Sequence, residues 1–185
     1  MITVTDLRKN VTFELDGQLY RVLEYEHYKP GRGNAIIRTR LRNLRTGATL
    51  ERNFLSGERV QDVRLDHHTV QYLYHDDDLY HFRDTETYEQ PALPAEVLGD
   101  AVSYLKDGIT LELSLYQGEP IDIELPVTVD LLVTEAPLAI AGDTATGATK
   151  QVTTETGLKV TVPLFVNEGD TIRVDTRTGA YLTRV

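Results

Sequence analysis

The residues best suited to chemistry in this 185-residue chain form a short basic loop, Lys29-Pro30-Gly31-Arg32-Gly33-Asn34-Ala35, between two runs of alternating apolar and polar residues. Proline fixes φ, and glycine and asparagine tolerate φ > 0, so the loop is predicted to bend sharply and hold Arg32 at its tip. A guanidinium presented there has few protein groups to pair with. Its planar five-donor fork suits phosphate, ribose and base edges, which makes nucleic acid the first partner to consider. The plain alternative is a solvated hairpin tip. The following strand weighs against it, because Arg38, Arg40 and Arg42 alternate with Thr39 and Leu41 and share one face. At roughly 3.3 Å per residue they repeat every ~7 Å, close to two steps of the ~3.4 Å per-strand rise of duplex DNA. Arg45 and Arg52 add to the same region.

Other constellations are weaker. Tyr74-His75-Asp76-Asp77-Asp78, with His67, His68 and His81, brings imidazoles and carboxylates together and raises a metal-dependent hydrolase as an alternative. The spacing fits neither an EF-hand nor an H-E-x-x-H helix, so an Asp-rich hairpin turn is the better reading. Gly142 and Gly147 have the spacing of a phosphate-cradling loop, but Ala148 stands where the lysine belongs, and nucleotide hydrolysis of that type is unsupported. The loop retains exposed backbone amides and the Asp143 and Thr144 side chains as RNA contacts. No Gly-x-Ser-x-Gly elbow occurs, and serine stands only at positions 56, 103 and 114. An enzyme is the weaker class, and neither a cofactor nor a metal is expected.

The elements that must position the loop are strands. Alternation runs through Thr12–Leu15, Leu19–Leu23, Ala35–Leu41, Val70–Tyr74, Leu111–Leu115 and Lys159–Pro163. Turn signals separate the runs: Asp16-Gly17, Thr46-Gly47, Gln117-Gly118, Thr156-Gly157, Glu168-Gly169 and Thr178-Gly179. This rhythm predicts small barrels or sandwiches. Pro94 to Leu105 alone reads as a short helix, with Pro94-Ala95-Glu96 in its first turn. Boundaries fall near Arg64-Leu65, where the charge balance changes, and at the proline-marked Glu124-Leu125-Pro126-Val127. Three barrels follow, at 1–64, 65–126 and 127–185. Domains of that size are individually marginal, so they are expected to pack on one another.

With no cysteine, disulfides, thiolate zinc sites and cysteine nucleophiles are excluded, and a reducing cytoplasm is the expected compartment. No run of about 18 apolar residues could span a bilayer, and no leader pattern is seen at the start. The net charge of −10 divides unevenly. Residues 1 to 64 carry 12 Lys/Arg against 8 Asp/Glu, and the remainder 7 against 21. A basic first domain on an acidic remainder can place one end against phosphates while the rest resists indiscriminate RNA binding.

Taken together, these stretches resemble the bacterial translation elongation factor P family over essentially the whole chain. The resemblance is carried by Lys29 to Ala35, Asn43-Leu44-Arg45-Thr46-Gly47, Gln71-Tyr72-Leu73-Tyr74 through Glu86-Thr87-Tyr88-Glu89-Gln90, and Gly142-Asp143-Thr144. Most specific is Lys150 through Gly157 to Val162-Pro163-Leu164-Phe165-Val166 and Gly169-Asp170, then Val174 to Gly179 and the ending Tyr181-Leu182-Thr183-Arg184.

The resemblance implies an all-β protein with an SH3-like (KOW-like) barrel and two OB barrels in an elongated L shape. It implies a monomer that binds both ribosomal subunits between the peptidyl and exit sites and relieves stalling at consecutive prolines. Arg32 would approach the acceptor end of peptidyl-tRNA, with Lys29, Pro30, Gly31, Gly33 and Asn34 shaping the approach. Arg38, Arg40 and Arg42 would face RNA. Gly142, Asp143, Thr144 and Gly147 would lie at messenger RNA in the exit site, and Tyr181 and Arg184 would contact the small subunit and tRNA. Arg32 is also the candidate for modification, with a tip-modifying enzyme as a candidate partner. Arginine excludes lysine-type modification, and the sugar-bearing members of the family have a different loop, so an unmodified Arg32 is expected. The alternatives are a generic OB-fold binder of single-stranded RNA and an elongation-factor-P-like paralogue. In the former, aromatics stack along a basic groove, whereas the tyrosines here lie largely in the acidic part.

Overall fold

A computed structural model describes residues 1–138 and 147–185. Strands β1 (Ile2–Thr3), β2 (Thr12–Leu15), β3 (Gln18–Tyr28), β4 (Ile36–Asn43), β5 (Thr49–Leu55) and β6 (Arg59–Asp62) form an antiparallel sheet in the order β1-β6-β2-β3-β4-β5. Next come β7 (Asp66–Asp76), β8 (Leu79–Asp84), β9 (Ala92–Pro94), helix α1 (Ala95–Leu98), β10 (Thr110–Tyr116) and β11 (Glu119–Glu124). Their sheet runs β11-β10-β7-β8-β9. The last sheet, β14-β13-β12-β15-β16, uses β12 (Thr128–Glu135), β13 (Thr149–Thr154), β14 (Lys159–Pro163), β15 (Thr171–Asp175) and β16 (Tyr181–Arg184).

The turn chemistry explains the connections. Asp16 and Gly17 take φ of 53° and 74°, and Gln117 and Gly118 take 51° and 82°. Two successive positive φ values make the two-residue hairpin turn whose twist matches antiparallel strands. The predicted helix over 94–105 is cut short. One α-turn ends at Gly99, whose φ of 57° and ψ of −132° are closed to most side chains, and the chain continues to Tyr104 as 3-10 helix.

Two compact units result, the first comprising Met1–His68, Leu93–Gly99 and Leu113–Asp122. Its main core joins Val4, Leu7, Phe13, Val22, Ile37, Leu41, Phe54 and Val60, with Phe13 and Phe54 meeting edge-on at 6.3 Å. Edge-on rings align a positive rim with a negative face, a favourable geometry. A second cluster joins Leu19, Leu44 and Ile121. Beside it Arg21 pairs with the buried Asp122, and the Tyr116 hydroxyl donates to Glu14 at 3.1 Å.

The second unit comprises Thr69–Ala92, Asp100–Glu112 and Ile123–Val185. Its core is β-branched, with Val129, Val133, Val152, Val160, Val162, Ile172 and Val174 around Leu131 and Tyr104. Arg173 grips Asp130 with Nε and Nη2 at 2.7 and 3.0 Å. Asp175 accepts from the Arg177 side chain at 2.8 Å and from its backbone N–H at 2.8 Å. These donors, the Arg177 guanidinium first, hold the Asp175 carboxyl down at about 2, against an opposing effect of burial.

The sign of the linkage follows. A carboxyl depressed in the folded state favours folding above the unfolded value of about 3.9, and that contribution is lost as pH falls towards about 2. Asp175→Asn is therefore expected to flatten the fall in melting temperature between about pH 4 and pH 2. Thermal unfolding by circular dichroism across pH 2–7 checks this, and an unchanged slope in the variant would remove Asp175 from the account.

Candidate nucleic-acid interface

The tip loop stands on a long regular hairpin. Strands β3 and β4 pair from Tyr20↔Asn43 up to Tyr28↔Ile36, with one irregularity between Val22 and Glu24. The ladder thus ends one residue before Lys29, and the Ser56 N–H bonding to the Ala35 carbonyl at 2.9 Å ties the far side of the loop to the end of β5. A rigid two-strand base is what a short loop needs to hold one side chain out. Gly33 has φ of 109°, a region closed to β-carbon-bearing residues without strain, and a Cβ on Gly31 would meet open space. Lys29, Gly31, Arg32, Gly33 and Asn34 are exposed and Pro30 is half-buried. Neither Arg32 nor Lys29 has a hydrogen bond or ion pair among the described residues.

The three arginines of β4 fare differently. Arg38 faces Glu26 across the hairpin at 3.6 Å and lies over the Tyr28 ring, 4.7 Å from its centroid. Arg40 faces Glu24 at 3.4 Å, with Glu51 on its other side in register. Arg42 shares their parity but is half-buried, and its guanidinium donates to the Val97 carbonyl. Arg45 is held by the Gly17 carbonyl and Glu119, and Arg52 lies over the Phe54 ring at 5.3 Å. In register Arg52 stands opposite the buried Thr39, so it faces away from Arg38 and Arg40. The arginines predicted from spacing sit in a ladder of opposed charges, and among the described residues the unpaired positive charge of this hairpin lies in its loop.

Glu24 and Glu26 carry no signal as single residues, but counting outwards from the loop places them opposite Arg40 and Arg38. Exposed pairs of this kind contribute little to stability, about 0–1 kcal/mol. Their consequence is electrostatic. The double variant Glu24→Gln, Glu26→Gln is expected to bind a tRNA transcript more tightly at low salt. The slope of log affinity against log salt should steepen by about 0.7 for each arginine freed to meet a single-strand phosphate. Titration across a salt series by fluorescence anisotropy measures this, and an unchanged slope would show that the glutamates do not screen Arg38 and Arg40.

The other predicted contacts divide. Gly142, Asp143 and Thr144 lie outside the described residues, whereas Gly147 is exposed with φ of 98°. Tyr181 packs against the core of the last sheet, and Arg184 pairs with Asp170 at 3.6 Å while covering the exposed Phe165 ring at 5.2 Å. His75 stacks on Tyr80 and His81 on Tyr74, at 5.1 and 4.6 Å, and His81 Nε2 lies 2.7 Å from Asp76. Next to them, burial pushes the Tyr72 hydroxyl up to about 12, with Asp107 and Tyr80 adding to the shift. Among the described residues no three acidic or histidine side chains gather as a metal would require. No helix there is long and apolar enough to cross a membrane.

Comparison with known proteins decides what kind of molecule carries this loop. Three family descriptions match in sequence order: the Elongation factor P (EF-P) KOW-like domain over residues 3–60, the EF-P OB domain over 65–123 and the Elongation factor P C-terminal domain over 129–184. The chain belongs to the elongation factor P family. It is 50% identical over 184 residues to elongation factor P of Moorella thermoacetica, covering 100% of both chains. It is 48% identical over 185 residues to that of Pelotomaculum thermopropionicum, again at 100% of both. Among solved structures, eukaryotic translation initiation factor 5A from Methanococcus jannaschii aligns with a TM-score of 0.53 at 22% identity, over 67% of this chain and 91% of that one. That likeness is one of fold. As a member of the elongation factor P family the chain is a translation elongation factor acting on the ribosome, not an enzyme. The all-β barrel architecture and the family read from the sequence are both borne out.

Proposed function

We propose that this elongation factor acts in the cytoplasm on ribosome-bound peptidyl-tRNA, between the peptidyl and exit sites. There the Arg32 loop meets the acceptor end, and the factor promotes peptide-bond formation at consecutive prolines. The observation that carries this reading is Arg32 itself, an exposed guanidinium without a partner among the described residues, on a regular hairpin whose neighbouring arginines are matched by glutamates or a carbonyl. Proline's ring constrains its approach as a nucleophile. A factor that holds the acceptor end in a near-attack arrangement lowers the barrier by positioning, while the ribosome supplies the catalysis.

In this reading 1–64, 65–126 and 127–185 are the three domains. The loop around Gly142, Asp143, Thr144 and Gly147 meets messenger RNA at the exit site, and Tyr181 and Arg184 mark the small-subunit end. Arg32 acts unmodified. The test is synthesis of a Pro-Pro-Pro reporter in a reconstituted system, with recombinant and native-source protein side by side. Stimulation by the recombinant form supports both the role and a bare arginine. Stimulation by native protein alone assigns Arg32 a required modification, and no stimulation by either contradicts the reading.

A further inference from the structure

Immediately below the tip, the outward-facing row of the hairpin changes character. Two lower rows, Glu24-Arg40-Glu51 and Glu26-Arg38-Asn53, are polar across all three strands. The top row is Tyr28-Ile36-Leu55, in register across β3, β4 and β5, with Tyr28 43% and Leu55 51% exposed and Ile36 half-buried. Single exposed apolar residues are ordinary on protein surfaces. Three in one row, ending at a loop with two cations unpaired among the described residues, ask for a ligand that is flat and apolar in one part and anionic in the next.

We propose that Tyr28 is a stacking platform for an unpaired base of an RNA 3′ end whose phosphate is held by Arg32, with Ile36 and Leu55 as its apolar floor. This rests on the reading that the tip meets the tRNA acceptor end. Charge complementarity argues for RNA: Lys29 and Arg32 flank the platform without carboxylate partners among the described residues, and Glu26, the acid of the adjoining row, is matched by Arg38. Arg38 covers one side of the Tyr28 ring at 4.7 Å and fixes its orientation by a cation–π contact. Base–aromatic stacking tolerates any sequence, because every base has a π-face. At about 3.3–3.6 Å per residue, no more than ~14 Å of chain separates Tyr28 from Arg32, within reach of one short single strand. Tyr28 is a positioning residue in this scheme, since stacking the base fixes the strand that Arg32 holds.

The experiment uses an acceptor-stem minihelix with 2-aminopurine as its 3′-terminal base, titrated with the full chain at low salt. Stacking should quench the fluorophore. Wild type and Tyr28→Phe are expected to quench alike. Tyr28→Ser is expected to lose the quenching and to bind roughly tenfold more weakly by anisotropy, with unchanged melting temperature. Arg32→Ala is expected to weaken binding yet quench at saturation. Equal quenching by Tyr28→Ser, or none by wild type, overturns the platform. If Tyr28→Ser loses reporter stimulation while quenching persists, the patch serves a protein contact and the proposal fails. Each of these failures is separable from failure of the functional reading, which shows as no stimulation of the proline reporter by wild type.

Discussion

Arg32→Ala is expected to bring synthesis through consecutive prolines down to the level without factor, a loss on the order of a hundredfold in the stimulated step. The size follows from the mechanism. A factor that works by positioning contributes nothing once its contact with the substrate is lost, and misplacement by about 1 Å can cost that much. The fold should not register the change, because the Arg32 side chain is exposed and has no hydrogen-bond or ion-pair partner among the described residues. Surface changes of that kind stay within about 0.5 kcal/mol. Arg32→Lys separates charge from shape: it keeps the positive charge and loses the planar fork, so intermediate stimulation is expected. Reporter synthesis and thermal melting of the three proteins, run in parallel, check the pair of claims. Full stimulation by Arg32→Ala would move the function away from the tip.

The largest expected loss of stability comes from a residue with no side chain. Gly47 has φ of 75°, and a Cβ built on it would lie 2.1 Å from the Glu96 carbonyl oxygen. Its own N–H bonds the Asn43 carbonyl at 2.8 Å, and Asn43 Oδ1 accepts from the N–H groups of Arg45 and Thr46 at 2.9 and 3.1 Å. The turn therefore cannot yield without breaking its own bonds. Opposite it, Arg42 donates to the Val97 carbonyl and a Cβ on Gly99 would come within 3.2 Å of that guanidinium. Both sides of the contact are backbone or tightly held.

Gly47→Ala is expected to cost at least about 3 kcal/mol, combining the left-handed strain of about 1–2 kcal/mol with a forced backbone shift. Gly17→Ala is the matched control, since Gly17 has nearly the same φ of 74° with nothing within 4 Å of its Cβ. It should show the conformational cost alone. Melting temperatures should fall by roughly 6–12 °C for Gly47→Ala, at about 2–4 °C per kcal/mol for a chain of this size, and by roughly 2–8 °C, about one-third to two-thirds as much, for Gly17→Ala. Equal falls would mean that the segment at Glu96 moves aside freely.

Much of this was legible in the sequence because strand rules are local. The Asp16-Gly17 and Gln117-Gly118 turns, the bounds of β2 and β14 and the loop at 29–35 all follow from alternation and turn chemistry. The helix over 94–105 was legible as a departure from the strand pattern, but its early end was not, because Gly99 stands there as one glycine among many until its positive φ is known. The fate of the arginines was not legible. Their parity on β4 is a local fact, but what each one meets depends on register across strands and on segments distant in sequence. Arg42 reaches a carbonyl 55 residues away, and Arg21 reaches an acid 101 residues away. Asp122 was one of many carboxylates in an acidic stretch, with nothing nearby to mark it as buried. Tyr28 was not legible for a different reason: directly before a basic loop, an aromatic residue reads as the end of a strand until its cross-strand neighbours are known.

The measurement that tests the central claim most directly uses the absence of cysteine. A single cysteine at Gly31, where a Cβ meets open space, carries a tethered hydroxyl-radical generator beside Arg32 without competing labels. Bound to ribosomes stalled at consecutive prolines, the labelled factor should cleave peptidyl-tRNA at its acceptor end. Cleavage confined to other parts of the tRNA or to ribosomal RNA away from the peptidyl site would contradict the account.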